Sequence, residues 1–311
     1  NGIKELDEFE VANFSDEARY LRINILGSNT IRVKTSAVNL RSNISPSSII
    51  KGKKGFLRFV GKLSNQTSYS ARQKNRYDDF WLSANPFPES TIDTSITSYT
   101  ASARNSLAFN RNSRKFGTEY IFTESSNKAL LSNGFELGDN QSHRFVLWFG
   151  IVKNLSARIE GEKFSRSSTS QYFESKNYTV SGLEPQLSVK YEGIKDLTLE
   201  TIFKIINSES EKNTTKASGQ SIVLQTNYSF PGRSSVSSKL SMVKIDFTGN
   251  PDSPIGYEML KGLQSGKNWV WETMFRQKLS KYLEMEVVYS GRMFNNGKVV
   301  HTGSMQARAL F

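Results

Sequence analysis

Few residues of this chain could do chemistry. The sequence has 311 residues, no cysteine and two histidines. A disulfide scaffold, a thiolate zinc site and a cysteine nucleophile are therefore excluded, and a histidine-rich metal centre lacks ligands. His143 has Ser142 beside it and Asp139 nearby, the residue types of a base, a nucleophile and an orienting acid. Neighbours in a strand point to opposite faces, however, so a strand would part Ser142 from His143. His301 lies at the start of the last strand, near a turn, and both histidines read as loop or rim residues. Asp78 and Asp79, in "RYDDFW", read as residues that solvate a long loop. No catalytic residue is expected, and the chain reads as non-enzymatic.

The opening "NGIKELDE" fits the second half of a calcium loop. Asn1 takes the fifth position, Gly2 the sixth and Glu5 the ninth. Glu8 takes the twelfth, where a bidentate carboxylate is needed. Lys4 falls where an aliphatic residue belongs, and the first-half carboxylates are not in the sequence. Asn1, Glu5 and Glu8 thus form a partial metal site that would hold calcium only if upstream residues completed it. No cofactor is expected of the chain itself. An acidic turn before "FEVANF" accounts for the same residues.

Lys and Arg number 41 against 29 Asp and Glu, a net charge of +12. The excess is dispersed, with no block of five like charges, so a basic tail is not expected. Dispersed cations suit a polar lumen or a surface against anionic glycolipid. The cations and aromatics of "RQKNRYDDFW" could stack bases. A solvated loop explains them more simply, and nucleic acid is not an expected partner.

No run of 18 apolar residues exists to make a transmembrane helix. The mean hydropathy is −0.48. Membrane barrels are as polar on average, because only alternate strand residues face lipid. Alternation is therefore the informative signal. After residue 20 the chain falls into segments of period two. "LSARIEGE" sets Leu155, Ala157 and Ile159 against Arg158, Glu160 and Glu162. "SIVLQTNYSF" sets Ile222, Leu224 and Phe230 against Gln225, Asn227 and Ser229. In "KYLEMEVVYSGR", Leu283, Met285, Val287 and Tyr289 oppose Glu284, Glu286 and Arg292. A soluble sandwich would alternate too, with its polar face in water.

Three features favour a membrane barrel. Connectors come in two lengths: "GIKDL" and "LSKYL" are short, whereas "NPFPESTIDTSITSYTASARNS" and "FTGNPDSPIGYEMLKGLQSGKN" are long and polar. Aromatics gather at segment ends, namely Trp148, Phe149, Tyr172, Phe173, Trp269, Trp271 and Tyr282, where interfacial girdles would lie. The sequence ends in "HTGSMQARALF", an alternating strand that places Gly303, Met305, Ala307 and Ala309 on one face and closes on Phe311. These five residues have the form of a barrel-assembly signal.

The tail "YSGRMFNNGKVVHTGSMQARALF" resembles the end of large outer-membrane β-barrel proteins of Bacteroidota. "NKALLSNGFE", the opening residues and "GYEMLKGLQSGKNWVWETMFRQKLSKYLEMEVVYSGR" carry the same resemblance. It implies an outer-membrane location in the cell envelope and no particular activity. Such proteins are usually longer, which implies a further N-terminal portion.

The expected fold is all-β: a transmembrane antiparallel β-barrel over residues 20–311, with residues 1–19 ending an upstream segment or linker. At roughly 20 residues per strand and turn, about 12 to 16 strands are expected, and an even number. The odd faces of the last two hairpins should meet lipid and the charged faces the lumen. Expected partners are outer-membrane lipid and lipopolysaccharide, the barrel-assembly machinery and other envelope proteins. The expected role is that of a membrane anchor or a component of a larger envelope complex. The alternative is a porin-like or export channel with a basic lumen.

Overall fold

The computed structural model describes residues 12–14, 16–21, 32–48, 50, 55–87, 93–131, 134–212, 214–232, 234–295 and 297–309. The fold is all-β. Its strands are β1 (Lys34–Ile44), β2 (Leu63–Asn75), β3 (Ile96–Phe109), β4 (Phe116–Leu131), β5 (Gly134–Val152), β6 (Leu155–Ser170) and β7 (Tyr178–Ile194). They continue as β8 (Leu197–Ser210), β9 (Lys216–Phe230), β10 (Ser234–Thr248), β11 (Gly266–Lys278), β12 (Leu283–Phe294) and β13 (Val300–Ala309). Among the described residues, three short α-helices lie in connections: α1 (Phe56–Val60), α2 (Phe80–Ala84) and α3 (Pro254–Leu260).

The 13 strands form one sheet in sequence order, and every neighbouring pair is antiparallel, as in an up-and-down barrel wall. Thirteen strands among the described residues lie within the expected range of 12 to 16. Among the described residues, β1 pairs only with β2 and β13 only with β12.

Register explains why the alternation matters. Cross-strand partners share a face, so apolar residues at alternate positions align into rows. One row runs Ile159, Leu187, Phe203, Ile222 and Met242 across β6 to β10. The next runs Val189, Thr201, Leu224, Leu240 and Trp271. These side chains are not buried: Leu187, Ile222, Leu224 and Leu240 are each 42–43% exposed. Along β7 the band extends from Leu183 past Leu187 and Tyr191 to Ile194. That is about 36 Å of strand, or about 28 Å vertically at the ~40° tilt of membrane barrels.

The opposite face carries the charges and curls around α3. Arg144 pairs with Glu162 at 2.8 Å, Lys204 with Glu184 at 2.5 Å and Arg276 with Glu286 at 2.7 Å. Glu284 and Glu286 share this inner face of β12, and Tyr289 and Met305 share the outer one. The partition of apolar odd and charged even residues read from the last two hairpins is thus the one found.

The connections at the two ends differ less cleanly than expected. The two longest at one end, here the loop end, are 76–95 and 249–265. The 132–133 connection at that end is nevertheless short, and 45–62 at the opposite, turn end is long. The stretch Ile96–Ser106, read as loop from its small and polar residues, is the first part of β3. Phe87 and Asp93 of the 76–95 connection lie against the outer face: Phe87 stacks on Tyr69 at 5.4 Å, and Lys128 donates from Nζ to the Asp93 carbonyl at 2.6 Å.

Candidate functional site

The most built part of the molecule lies inside the curled sheet at the loop end. Its centre is α3. Ser253 caps the helix by accepting from the Gly256 N–H at 3.1 Å, and Pro254 supplies a preset φ at the first position. Lys261 ends it in the left-handed region, φ 53°. Ile255, Met259 and Leu260 then pack on Phe164, Val180, Ala217, Val243 and Ile245 of the inner wall. Polar ties fix the rim. Arg166 reaches Glu258 at 2.8 Å, and Glu184 lies 3.7 Å from Lys261. Burial pushes the Lys261 ammonium below the usual lysine range, and the nearby Glu184 carboxylate offsets part of that.

A second element closes on α3 from the N-terminal side. The Asn13 N–H donates to the Tyr257 hydroxyl at 2.6 Å. Arg292 on β12 is buried and holds both Asp16 and Glu17, the latter at 2.9 Å. Its guanidinium also stacks 4.3 Å over the Phe14 ring and 5.7 Å from that of Phe294. Asn13, Phe14, Asp16 and Glu17 thus strap this segment to the inner wall, Asp16 to a residue 276 positions away in the chain.

Arg292 is the pin of this strap. We expect Arg292→Ala to free residues 12–21 without unfolding the sheet, seen as faster protease cleavage there at an unchanged melting transition. Acid should do the same. The Arg292 hydrogen bond holds the Asp16 carboxyl below the usual carboxylate range. A depressed folded value means that the stabilisation is present above the unfolded pKa, about 3.9. It is lost as pH falls below that and through the lowered folded value. Cleavage at the strap should therefore rise only below about pH 4, and Asp16→Asn should abolish most of that pH dependence.

The residues expected from the sequence to act chemically do not come together. Ser142 is buried on the inner face, whereas His143 points outward. His143 is also no rim residue: it sits mid-strand in β5, its Nδ1 2.7 Å from the Tyr120 hydroxyl and its ring 5.1 Å from that of Phe122. That corrects the loop or rim reading, because a flanking polar run hid the length of β5. His301 is at the start of β13 as expected, with Nδ1 2.8 Å from the Tyr289 hydroxyl. Asp79 caps α2 by accepting from the Leu82 N–H at 2.9 Å, within the long connection expected. Trp148 is not a girdle residue; it turns inward and donates to the Ser113 carbonyl at 2.9 Å.

Asn1, Glu5 and Glu8 lie outside the described residues, as does Phe311. Among the described residues, no group of three His, Asp or Glu is placed to hold a metal ion. Gly303, Met305, Ala307 and Ala309 share the outer face of β13, and Met305 is 71% exposed.

The fold and this interior define the class: an all-β protein whose sheet has the β-barrel architecture, with a folded connection and a strap inside one end. No protein-family model and no curated protein matches the chain. Among solved structures, it is similar to CdiB from Acinetobacter baumannii, with a TM-score of 0.47 and 9% identity, over 90% of this chain and 54% of that one. The chain thus spans about half the length of that neighbour. It is also similar to OmpT, an outer membrane protein of Vibrio cholerae, with a TM-score of 0.37 and 7% identity, over 89% of this chain and 95% of that one. The transport unit of the autotransporter AIDA-I from Escherichia coli matches at a TM-score of 0.28 and 11% identity, over 93% of each chain. Likenesses this distant assign no activity.

Proposed function

We propose that this chain is an outer-membrane β-barrel protein that serves, without catalysis, as a membrane anchor or as a component of a larger envelope complex. The observation that carries this reading is the pairing of an outward apolar band with an interior occupied at the loop end by α3 and the strap. An apolar band about 28 Å high facing outward fits lipid. An interior closed at the loop end by packed side chains fits an anchor better than an open pore. The resemblance of the tail to barrels of Bacteroidota supports the same location. Outer-membrane lipid and lipopolysaccharide would then contact the band, and the barrel-assembly machinery would read the β13 face of Gly303, Met305, Ala307 and Ala309.

Fractionation and planar-bilayer recording test this together. The protein should appear in the envelope fraction, migrate differently in gels before and after boiling, and give no steady conductance. Recovery in the soluble fraction would sink the barrel reading. A steady, anion-preferring conductance would replace the anchor with the porin-like alternative.

A further inference from the structure

At the turn end, opposite the strap, the structure holds a cavity of about 1050 Å³ that nothing above uses. Its walls are the 110–115 connection, the β5–β6 hairpin and the ends of β7 and β8. The connection is built to lean over it. Asn110 adopts the left-handed φ of 55°. A Cβ on Gly117 would collide with the Trp148 ring, and one on Gly150 would collide with the Arg114 carbonyl. The Gly150 N–H donates to the Lys115 carbonyl at 3.0 Å, and Trp148 donates to that of Ser113 at 2.9 Å. Two glycine clearances and two hydrogen bonds thus fix a cationic connection over the opening. Register shifts after Gly150 in β5 and after Tyr191 in β7 flank the same cavity, and such irregularities re-aim side chains at barrel rims.

The charges around it are unequal: six cations line it against Glu192 and Glu200. Arg111 is paired with Glu119 at 2.8 Å, and Lys190 with Glu192 at 2.6 Å. Arg114, Lys115 and Lys153 have no acidic partner among the described residues and stand exposed on two separate walls. Trp148, Val152 and Leu155 add apolar lining between them. Cations converging on one point would suit a single phosphate. Cations spread over two walls, with apolar surface between, suit carboxylates spaced along an extended chain.

We propose that this cavity is a docking site for an acidic peptide segment. It admits one strand-like stretch, whose carboxylates meet Arg114, Lys115 and Lys153 and whose apolar side chains meet Trp148 and Val152. The proposal does not depend on whether the interior conducts.

The test uses the full chain in neutral detergent and a fluorescein-labelled octapeptide of alternating Glu and Leu, read by anisotropy. Saturable binding should weaken about tenfold as salt rises from about 50 to about 300 mM. It should weaken at least as much in the Arg114→Glu/Lys115→Glu/Lys153→Glu triple variant, whose boiled and unboiled gel mobilities should match the parent. A Lys–Leu octapeptide should not bind. Absence of binding, or binding indifferent to the triple variant, overturns the proposal. So does equal competition by millimolar inorganic phosphate, which would mark a small-anion site. If the three cations instead govern only association with vesicles of anionic lipid, they are headgroup contacts and the peptide site is refuted. A variant with altered gel mobility would be replaced by Lys153→Glu alone, for which about a threefold loss is expected.

Discussion

Leu187→Arg is expected to cost about 2–4 kcal/mol when the protein folds into a bilayer, and under about 0.5 kcal/mol were the same surface in water. Leu187 points outward from the middle of β7, between Ile159 and Phe203 in one apolar row. Its exposure of 42% is unremarked in water, where an arginine would reach solvent and replace a modest contact. In hydrocarbon the guanidinium has nowhere to go except along the strand toward a headgroup. Urea titration of the protein refolded into phosphatidylcholine vesicles measures the difference. Ser181→Arg is the control. It lies on the same face of the same strand but in a polar row between Ser165 and Glu209, toward the loop end. Equal, small effects at both positions would mean that the band does not meet lipid.

Met259→Asp is expected to undock α3, at about 3–5 kcal/mol. Met259 is 5% exposed and packed among apolar wall residues, so an ionised carboxylate there has no partner and no water. Met259→Leu keeps the volume and should cost less than about 1.5 kcal/mol. Because α3 belongs to one connection, the strands should stay paired. The expected result is rapid amide exchange and proteolysis confined to 249–265, with gel heat-modifiability intact. Exchange as slow as in the parent would show that α3 is not held by this core.

The wall of this molecule was legible in its sequence because the two faces of its sheet impose opposite demands on alternate residues. Ile222 and Leu224 against Gln225 and Asn227 needed no further information than spacing. The same rule, followed strictly, would have turned Trp148 inward, since it shares parity with Arg144 and Val146. Reading it as a girdle residue put residue type ahead of spacing. The start of β3 was hidden for a different reason. Thr97, Ser98, Thr100 and Ser102 are small and polar, and they look like loop until the cross-strand partners in β2 and β4 are known.

The interior site was partly legible. "DSPIGYEML" carries a helix start, with Ser253 as cap and Pro254 behind it, inside a stretch read only as a long polar loop. Where that helix docks was not legible, because Phe164, Val180, Ala217 and Ile245 come from four strands. Nor could spacing connect Arg292 with Asp16 and Glu17. Each alone is an ordinary charge, and only the curl of the sheet brings them together. Pro185 offered one further signal. It lacks an N–H, and the β7–β8 ladder is interrupted between Gly182 and Gln186, where Glu184 accepts Lys204 instead.

Among the described residues, β1 and β13 form the wall's two margins, and they share one polarity. In an up-and-down sheet each strand reverses the last, so β1 and β13 both travel from the loop end to the turn end. Brought edge to edge they would make a parallel pair, with slanted bonds and slightly less stability per residue than any of the 12 antiparallel ladders. If the wall spans a bilayer as proposed, neither margin would face lipid unaccompanied, because hydrocarbon tolerates no row of bare amides. Sideways parting of the wall, under tension or during insertion, would therefore begin at this margin rather than in the β4–β6 region, where the ladders are longest.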